Sequence, residues 1–294
     1  SFLDTAWTDH ATQAAAVAER LRSQALALAT EEARIVPLAH LTQHVFGDHL
    51  GRWTEGLALL EQLAALPVTQ GAAAMTVARF QHALKLAGGL ADGRAELDNS
   101  EGIRVTALAA AQLGAHDSAR SLALLEDGVA AAERAALPDK DLAHRNLAIA
   151  GNGIASTLEE MAERSEAQTR LMLRAAQVAR RFWALAGTWL ETERADYRLA
   201  MSHLAAGLLP QARQHAQDCL AVVQAQGSVA LEAFFGWEAL GRVERAAGNA
   251  TGHAHAVKQA EAAFAGLADS DKGWCQASLD KLSRRPAGQP GDSP

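Results

Sequence analysis

Apolar residues recur along most of the chain at the three- and four-residue spacing of an α-helix. Helical segments of roughly 14 to 22 residues alternate with breaks of about two to six residues, the connection length of neighbouring antiparallel helices. The pattern therefore predicts about thirteen helices. They lie near residues 9–28, 30–49, 53–66, 71–88, 99–113, 117–136, 139–162, 165–186, 188–207, 210–226, 228–247, 250–266 and 270–284.

Residues that favour helix ends stand where the apolar pattern stops. Thr8 and Asp9 are of the N-cap type and predict that the first helix begins there. Glycines such as Gly207 follow apolar runs, as C-terminal caps do. Pro37 lies inside the second segment and predicts a kink or a later start of that helix. Residues 88–99 are the weakest helical segment, and we expect a seam there.

The composition indicates an all-α fold. Hydrophobic residues make up 49% of the 294 residues, and much of this fraction is alanine, which helices accommodate at the least cost. Isoleucine and tyrosine, which favour strands, are scarce. The formal net charge is -7, and arginines are scattered among glutamates rather than gathered into a stripe. We therefore expect no nucleic-acid partner.

Several features indicate a cytoplasmic protein. Cys219 and Cys275 lie far apart in helical segments and indicate neither a disulfide framework nor a cysteine metal site. No uncharged apolar run approaches the roughly 18 residues of a membrane span. The segment at residues 1–10 lacks the residue order of a signal peptide. We expect no membrane partner.

Weak internal repetition accompanies the helical pattern, with one amphipathic helix leading through a turn glycine into a second helix. Trp237, Leu240 and Gly241 form a W-x2-L-G motif, and Gly248 follows at the turn. In these residues the chain resembles the tetratricopeptide repeat family, of the divergent, alanine-rich type common in bacteria. The spacing from Gly207 to Gly248 exceeds the family's roughly 34-residue unit by about two helical turns.

The resemblance implies a solenoid of antiparallel helix pairs with a right-handed superhelical twist. We expect residues 1–284 to form this solenoid as a single domain with the weak seam near 88–99. Residues 285–294 are rich in proline and glycine, a composition that predicts a flexible C-terminal tail.

The stretch HLTQHVFGDHLGRW at residues 40–53 raises the question of a metal site. On an α-helix His40, His44 and Asp48 share one face, whereas His49 points largely away. Residues eight apart are separated by about 12 Å along a straight helix, so these three side chains cannot reach one ion. His40 and His44 lack the glutamate of an H-E-x-x-H pair, and no second histidine cluster of suitable spacing supplies a third ligand. We therefore expect packing and capping histidines, with no metal and no cofactor.

Catalytic motifs are not apparent. The sequence contains no G-x-S-x-G nucleophile motif, no P-loop and no dinucleotide-binding glycine loop after a strand, so we expect no enzyme. The aromatic run RRFWALAGTW, with Phe182, Trp183 and Trp189, is typical either of an inter-repeat core or of a ligand platform.

The family resemblance also predicts a partner-binding surface, here called the predicted face. In tetratricopeptide repeats, two positions of each first helix commonly face the concave surface, and the turn glycines carry these positions over to this chain. Nearby arginines add charge. The predicted face consists of Asn152, Arg194, Tyr197, Met201, Glu238, Arg242 and Arg245. We expect an acidic or C-terminal segment of a partner to dock there. The alternative is that Arg242 only pairs with Glu238, four residues earlier.

Three functional classes follow. The first, which the resemblance favours, is a non-enzymatic interaction module or scaffold that binds a protein or peptide segment in its concave face. The second is a ligand-responsive regulatory protein that binds a small molecule or signalling peptide, with the aromatic run as its pocket. The third is a metal-dependent enzyme, which needs a pocket lined by His40, His44 and a third ligand. Assembly into a homo-oligomer is left open.

Overall fold

The computed structural model describes residues 1–91 and 93–284; the predicted tail at 285–294 lies outside them. Within the described residues the chain forms thirteen α-helices and no β-strand, which confirms the all-α prediction. The helices are α1 (Phe2–Leu28), α2 (Glu32–Gln43), α3 (Trp53–Ala64), α4 (Gly71–Ala87), α5 (Asn99–Leu113), α6 (Ser118–Ala135), α7 (Leu142–Glu159), α8 (Glu166–Ala186), α9 (Trp189–Ala205), α10 (Leu209–Ala225), α11 (Ala230–Ala246), α12 (Ala250–Ala265) and α13 (Asp269–Ser283). A π-helix (His44–His49) continues α2, and a 3-10 helix (Arg94–Glu96) precedes α5.

Side-chain caps fix the beginnings of several helices. Ser1, Ser165 and Thr188 each accept a hydrogen bond from the first turn and complete a capping box with the residue three positions later. The prediction that the first helix begins at Thr8 was wrong, because the capping box of Ser1 starts it at Phe2.

The first helix bends sharply at Gln13, whose backbone leaves the helical region with φ -132° and ψ 36°. The bend brings the two parts of α1 together, because Arg20 donates a hydrogen bond of 2.7 Å to the carboxylate of Asp9. In a straight helix, residues eleven apart are separated by about 16 Å along the axis. Before the bend, Trp7 and His10 pack against His44 of the π-helix, with ring centroids 5.4 and 5.0 Å from the His44 ring.

Consecutive helices pack against one another within each part of the fold, as helix pairs in a repeat protein do. Small residues stand where two backbones approach closely. Gly151 of α7 faces the backbone of Ala175 and Ala179 in α8. Gly241, from the W-x2-L-G motif, faces Ala256 and the side chain of Leu282. Among the described helices, none has the length and the apolar character needed to span a bilayer.

The chain divides into two compact units between Gly187 and Thr188. The first unit contains α1 to α8, and the second contains α9 to α13. Where we expected a seam, the described residues 88–91 and 93–99 hold a turn and the 3-10 helix and belong to the first unit. A continuous single-domain solenoid with a tetratricopeptide-like superhelix stays a prediction.

Candidate functional site

Most residues of the predicted face lie in the second unit, where their side chains bond to neighbouring side chains. Arg194 donates two hydrogen bonds, of 2.6 and 3.0 Å, to the buried carboxylate of Glu232. Glu238 is also buried and accepts from Arg242 at 3.2 Å and from the hydroxyl of Tyr197 at 3.1 Å. The Arg242–Glu238 pair, predicted from the sequence as the alternative to partner binding, is therefore present. The guanidinium groups of Arg194 and Arg242 each have a carboxylate partner.

The remaining residues of the predicted face are enclosed, bonded to other elements or located elsewhere. Met201 is buried. Arg245 donates to the backbone oxygens of Lys281 and Leu282 at 2.8 and 3.4 Å, where the last carbonyls of α13 lack partners within the helix. Asn152 lies on α7 in the first unit, so the predicted face is not contained in one unit.

A buried carboxyl group that sequence reasoning did not single out lies on α9. Glu193 is 1% exposed, and one of its oxygens accepts a hydrogen bond of 2.6 Å from the thiol of Cys219. Burial raises the pKa of Glu193 to about 7, and the carboxylate of Glu232 acts in the same direction. Burial and the nearby Glu193 carboxyl also raise the pKa of the Cys219 thiol. This cysteine is therefore a hydrogen-bond donor and not a nucleophile.

An open groove of about 830 Å³ lies between α10, α11 and α12 of the second unit; we call it the α11 groove. Trp237 and Leu240 of α11 line it together with Leu220 of α10. Ala233, Trp237 and Leu240 follow the spacing of one helix face. The next residue, Gly241, faces the core, so the W-x2-L-G motif contributes to both the groove and the packing beneath it.

The described lining of the α11 groove has no side chain of fixed charge. Among the described residues that line it, none is an aspartate, glutamate, lysine or arginine. Gln217, Gln224 and Gln259 provide amide groups, each of which can donate and accept hydrogen bonds. The ring of His255 meets the indole of Trp237 edge-on, with centroids 5.5 Å apart. The groove therefore combines an apolar surface with a few hydrogen-bonding groups.

A second constellation lies in the first unit and consists of His10, His44 and His49, which we call the histidine cluster. One ring nitrogen of each residue lies within 4.8 Å of the nitrogens of the other two. The Nε2 atoms of His44 and His49 are 3.2 Å apart. His10 and His44 are partly buried, and His49 lies at the solvent edge.

The π-helix brings His44 and His49 together. The backbone N–H of Leu50 donates to the carbonyl of Val45, five residues earlier, at 3.1 Å. In an α-helix, five residues advance by about 500°, which leaves their side chains about 140° apart. The wider π-helical turn instead places residues five apart one above the other. The prediction that His49 points away from His44 was wrong for this reason.

Contacts from the segment around α5 hold the π-helix in place. Gln112 donates a hydrogen bond of 2.9 Å to Gln43, and both side chains are buried. Gly47 lies directly against this amide, since a Cβ atom there would stand 2.9 Å from Gln112 Cγ. His116 donates from Nε2 to the backbone oxygen of Asp48 at 3.0 Å.

Hydrogen bonds orient two of the three cluster histidines. Nδ1 of His44 lies 2.6 Å from the Asp48 carboxylate, and Nδ1 of His10 lies 2.6 Å from the backbone oxygen of Trp7. Partial burial lowers the pKa of His49, and His44 and His10 act in the same direction, whereas the Asp48 carboxylate opposes them. The neutral form of His49 is therefore favoured.

His40, which the sequence paired with His44, lies beside the cluster and is not one of its members. Its ring stacks on Phe80, with centroids 6.0 Å apart, and it also meets Trp7. The ring nitrogens that converge in this region do not include one from His40. The structure groups His44 with His49 and with His10, a residue that sequence reasoning did not consider.

No model of a known protein family matches the chain, and no curated protein sequence matches it. The resemblance to tetratricopeptide repeats therefore rests on the W-x2-L-G motif and on the pairing of consecutive helices.

Proposed function

We propose that the chain is a non-enzymatic interaction module, with tetratricopeptide-like repeats, that binds a segment of a protein partner in the α11 groove. The proposal rests on the α11 groove, an open volume of about 830 Å³ in which Leu220, Trp237 and Leu240 supply apolar surface. No aspartate, glutamate, lysine or arginine is among the described residues that line it. Apolar surface at a groove with an aromatic residue is typical of sites that receive one face of an amphipathic helix. We also propose a cytoplasmic location, since Cys219 and Cys275 are both unpaired.

The groove's chemistry defines the partner segment. The described lining of the groove has no fixed charge that could pair with an acidic or basic residue of the partner. Burying such a residue there without a counter-charge would cost several kcal/mol, on the order of the effective penalty for one isolated ion. The glutamine amides instead match backbone groups or neutral polar side chains. The expected ligand is therefore a short helical segment with two or three apolar side chains on one face and no charge within that face.

The predicted face suits a partner less well than the groove does. An acidic partner at Arg194 would have to compete with Glu232, and one at Arg242 would have to compete with Glu238. Because both glutamates are buried, releasing either arginine would leave a buried carboxylate without its cationic partner. We therefore place the docking site on the opposite side of α11 from Glu238.

A peptide-display selection tests the proposal with two matched variants. Ala262 and Ala254 are both exposed alanines of α12, and only Ala262 lines the groove. Helical peptides selected on the wild-type protein are expected to carry uncharged apolar faces. Ala262→Arg places a charged side chain in the groove and should abolish their enrichment, whereas Ala254→Arg should leave it unchanged. Equal enrichment on both variants would place peptide binding elsewhere.

A small ligand is the second candidate occupant, because about 830 Å³ lies within the range of small-molecule sites. The chain would then act as a ligand-responsive regulator. Thermal-shift screening with neutral, apolar metabolites distinguishes the two candidates. A compound that raises the melting temperature of the wild type and of Ala254→Arg, but not of Ala262→Arg, would favour the sensor. Peptide enrichment without any such compound would favour the interaction module.

A further inference from the structure

We propose that His10, His44 and His49 bind one divalent transition-metal ion of the zinc class. Imidazole nitrogens are common ligands of zinc, and a three-histidine set leaves the fourth tetrahedral position to water. The proposal is independent of the α11 groove, which lies in the other unit.

The spacing of the ring nitrogens suits such an ion. Two nitrogens bound to a tetrahedral zinc ion at about 2.0 Å are about 3.3 Å apart. The Nε2 atoms of His44 and His49 are 3.2 Å apart, and the nitrogen of His10 lies within 4.8 Å of both. A small rotation of the partly exposed rings is sufficient to bring all three to one centre.

Hydrogen bonding sets the tautomers that metal binding requires. Asp48 and the Trp7 carbonyl can only accept hydrogen bonds, so the Nδ1 atoms of His44 and His10 carry protons. In the neutral rings, Nε2 then holds the lone pair. A ligating histidine usually donates its other ring N–H to a carboxylate or to a backbone carbonyl, and here one histidine uses each kind of acceptor.

Asp48 adds negative charge directly behind His44. Its Oδ2 accepts from His44, and its Oδ1 is buried with no hydrogen-bond partner among the described residues. The carboxylate holds the orientation of the His44 ring and supplies a compensating charge for a cation. The metal centre is therefore supported by a second layer of groups that fixes ligand orientation.

An ion bound by the histidine cluster would also affect the structure of the first unit. His10 lies on the part of α1 before the bend at Gln13, and the other two ligands lie on the π-helix. One ion would link these two elements, which are far apart in sequence. Metal binding would thereby stabilise the packing of the beginning of α1 against the π-helix.

Zinc titration of the full-length chain without a histidine tag tests the site. The wild type should bind one equivalent of Zn²⁺, with a Kd below about 1 µM by competition with a chromophoric chelator. Co²⁺ in place of Zn²⁺ should give the visible absorption of a four-coordinate ion. His10→Ala, His44→Ala and His49→Ala should each weaken binding at least tenfold, with helical circular dichroism unchanged.

His40→Ala is the matched control, because His40 stands one turn before His44 and is not a member of the cluster. This variant should retain the metal. Asp48→Asn should weaken binding about tenfold, in the range seen when a group that orients a ligand is removed. In the wild type, Zn²⁺ should slow amide hydrogen exchange in residues 2–12.

Two results would overturn the proposal. Absence of saturable Zn²⁺ binding would show that His49 simply donates a hydrogen bond from Nε2 to the lone pair of His44. Binding that survives His10→Ala but fails in His40→Ala would assign the ion to a His40–His44 pair and not to the cluster. The effect of Ala262→Arg on peptide enrichment tests the α11 groove separately, so the two proposals can fail independently.

Discussion

At the residue scale, the second unit accommodates buried carboxyl groups in two ways. Glu232 accepts two hydrogen bonds from the guanidinium of Arg194, whose side chain is 59% exposed. Glu193 has a thiol as its hydrogen-bond donor, and its pKa is raised to about 7 by burial. The protonated form of Glu193 is therefore the one that the fold favours.

Glu193→Gln should stabilise the protein at alkaline pH. The folded pKa of about 7 lies above the ordinary value of 4.5. Stability from the neutral carboxyl is therefore complete below about pH 4.5 and is lost as the pH rises through about 7. Glutamine cannot ionise, so urea unfolding near pH 8 should show a gain of about 3 kcal/mol at most over the wild type.

At about pH 4, Glu193→Gln and the wild type should have the same free energy of unfolding, because Glu193 is mostly protonated in both the folded and the unfolded state. Glu261→Gln, at an exposed position of α12, is the control and should change the unfolding free energy at neither pH. A uniform shift of Glu193→Gln across the whole pH range would instead indicate a packing effect.

Arg194→Ala should destabilise the second unit because it leaves the buried Glu232 carboxylate without its hydrogen-bond donors. Since Arg194 is largely exposed and solvent screens the pair, we expect a loss of about 1 to 2 kcal/mol. Adding Glu232→Gln should recover most of this loss in a double-mutant cycle. If the second substitution recovers nothing, the pair does not account for the effect of the first.

At the element scale, glycines allow consecutive helices to approach, and α7 offers a matched comparison. A Cβ atom at Gly151 would lie 2.5 Å from the backbone oxygen of Ala175 and 2.9 Å from the backbone nitrogen of Ala179. At Gly153 the added atom would meet nothing within 4 Å. The two glycines therefore have different structural roles in the same helix.

The identical substitution should have opposite effects at these two positions. Gly151→Ala should lower the free energy of unfolding by about 1 to 3 kcal/mol, because backbone atoms of α8 cannot move aside. Gly153→Ala should raise it by about 0.5 to 1 kcal/mol, the usual gain in helix propensity. Chemical denaturation followed by circular dichroism measures both. Equal effects at the two positions would contradict the α7–α8 packing.

Sequence periodicity was sufficient to predict the helices, because nearly every segment presents an apolar face that ends at a cap or a break. It was not sufficient for the π-helix, since a change from four- to five-residue hydrogen bonds leaves no mark in the apolar pattern. His49 was therefore assigned to the wrong side. His10 was missed because its approach depends on the bend at Gln13, a feature of tertiary packing.

The predicted face shows a similar limit. The family resemblance placed Glu238 on an accessible surface, whereas the structure buries it beside Tyr197. A single turn glycine fixes the repeat register only loosely, and an error of one residue rotates a helical position by about 100°. Trp237, one residue earlier, lies in the α11 groove.

At the scale of the whole molecule, the chain carries a net charge of -7, but no aspartate, glutamate, lysine or arginine is among the described residues that line the α11 groove. Binding there should depend on apolar contact and not on long-range attraction. We expect the affinity for a selected peptide to change less than about twofold between roughly 0.05 and 0.5 M salt. A steep loss of affinity with salt would point instead to the arginines of the predicted face.

Calorimetric titration tests most directly whether a partner segment binds in the α11 groove. One selected peptide is titrated against four proteins: the wild type, Ala262→Arg, Ala254→Arg and Arg242→Ala. We expect Ala262→Arg to weaken binding at least tenfold, a loss of about 1.4 kcal/mol, while the other two variants bind like the wild type. A tenfold loss in Arg242→Ala, with Ala262→Arg unaffected, would contradict this expectation and would assign the partner to the predicted face.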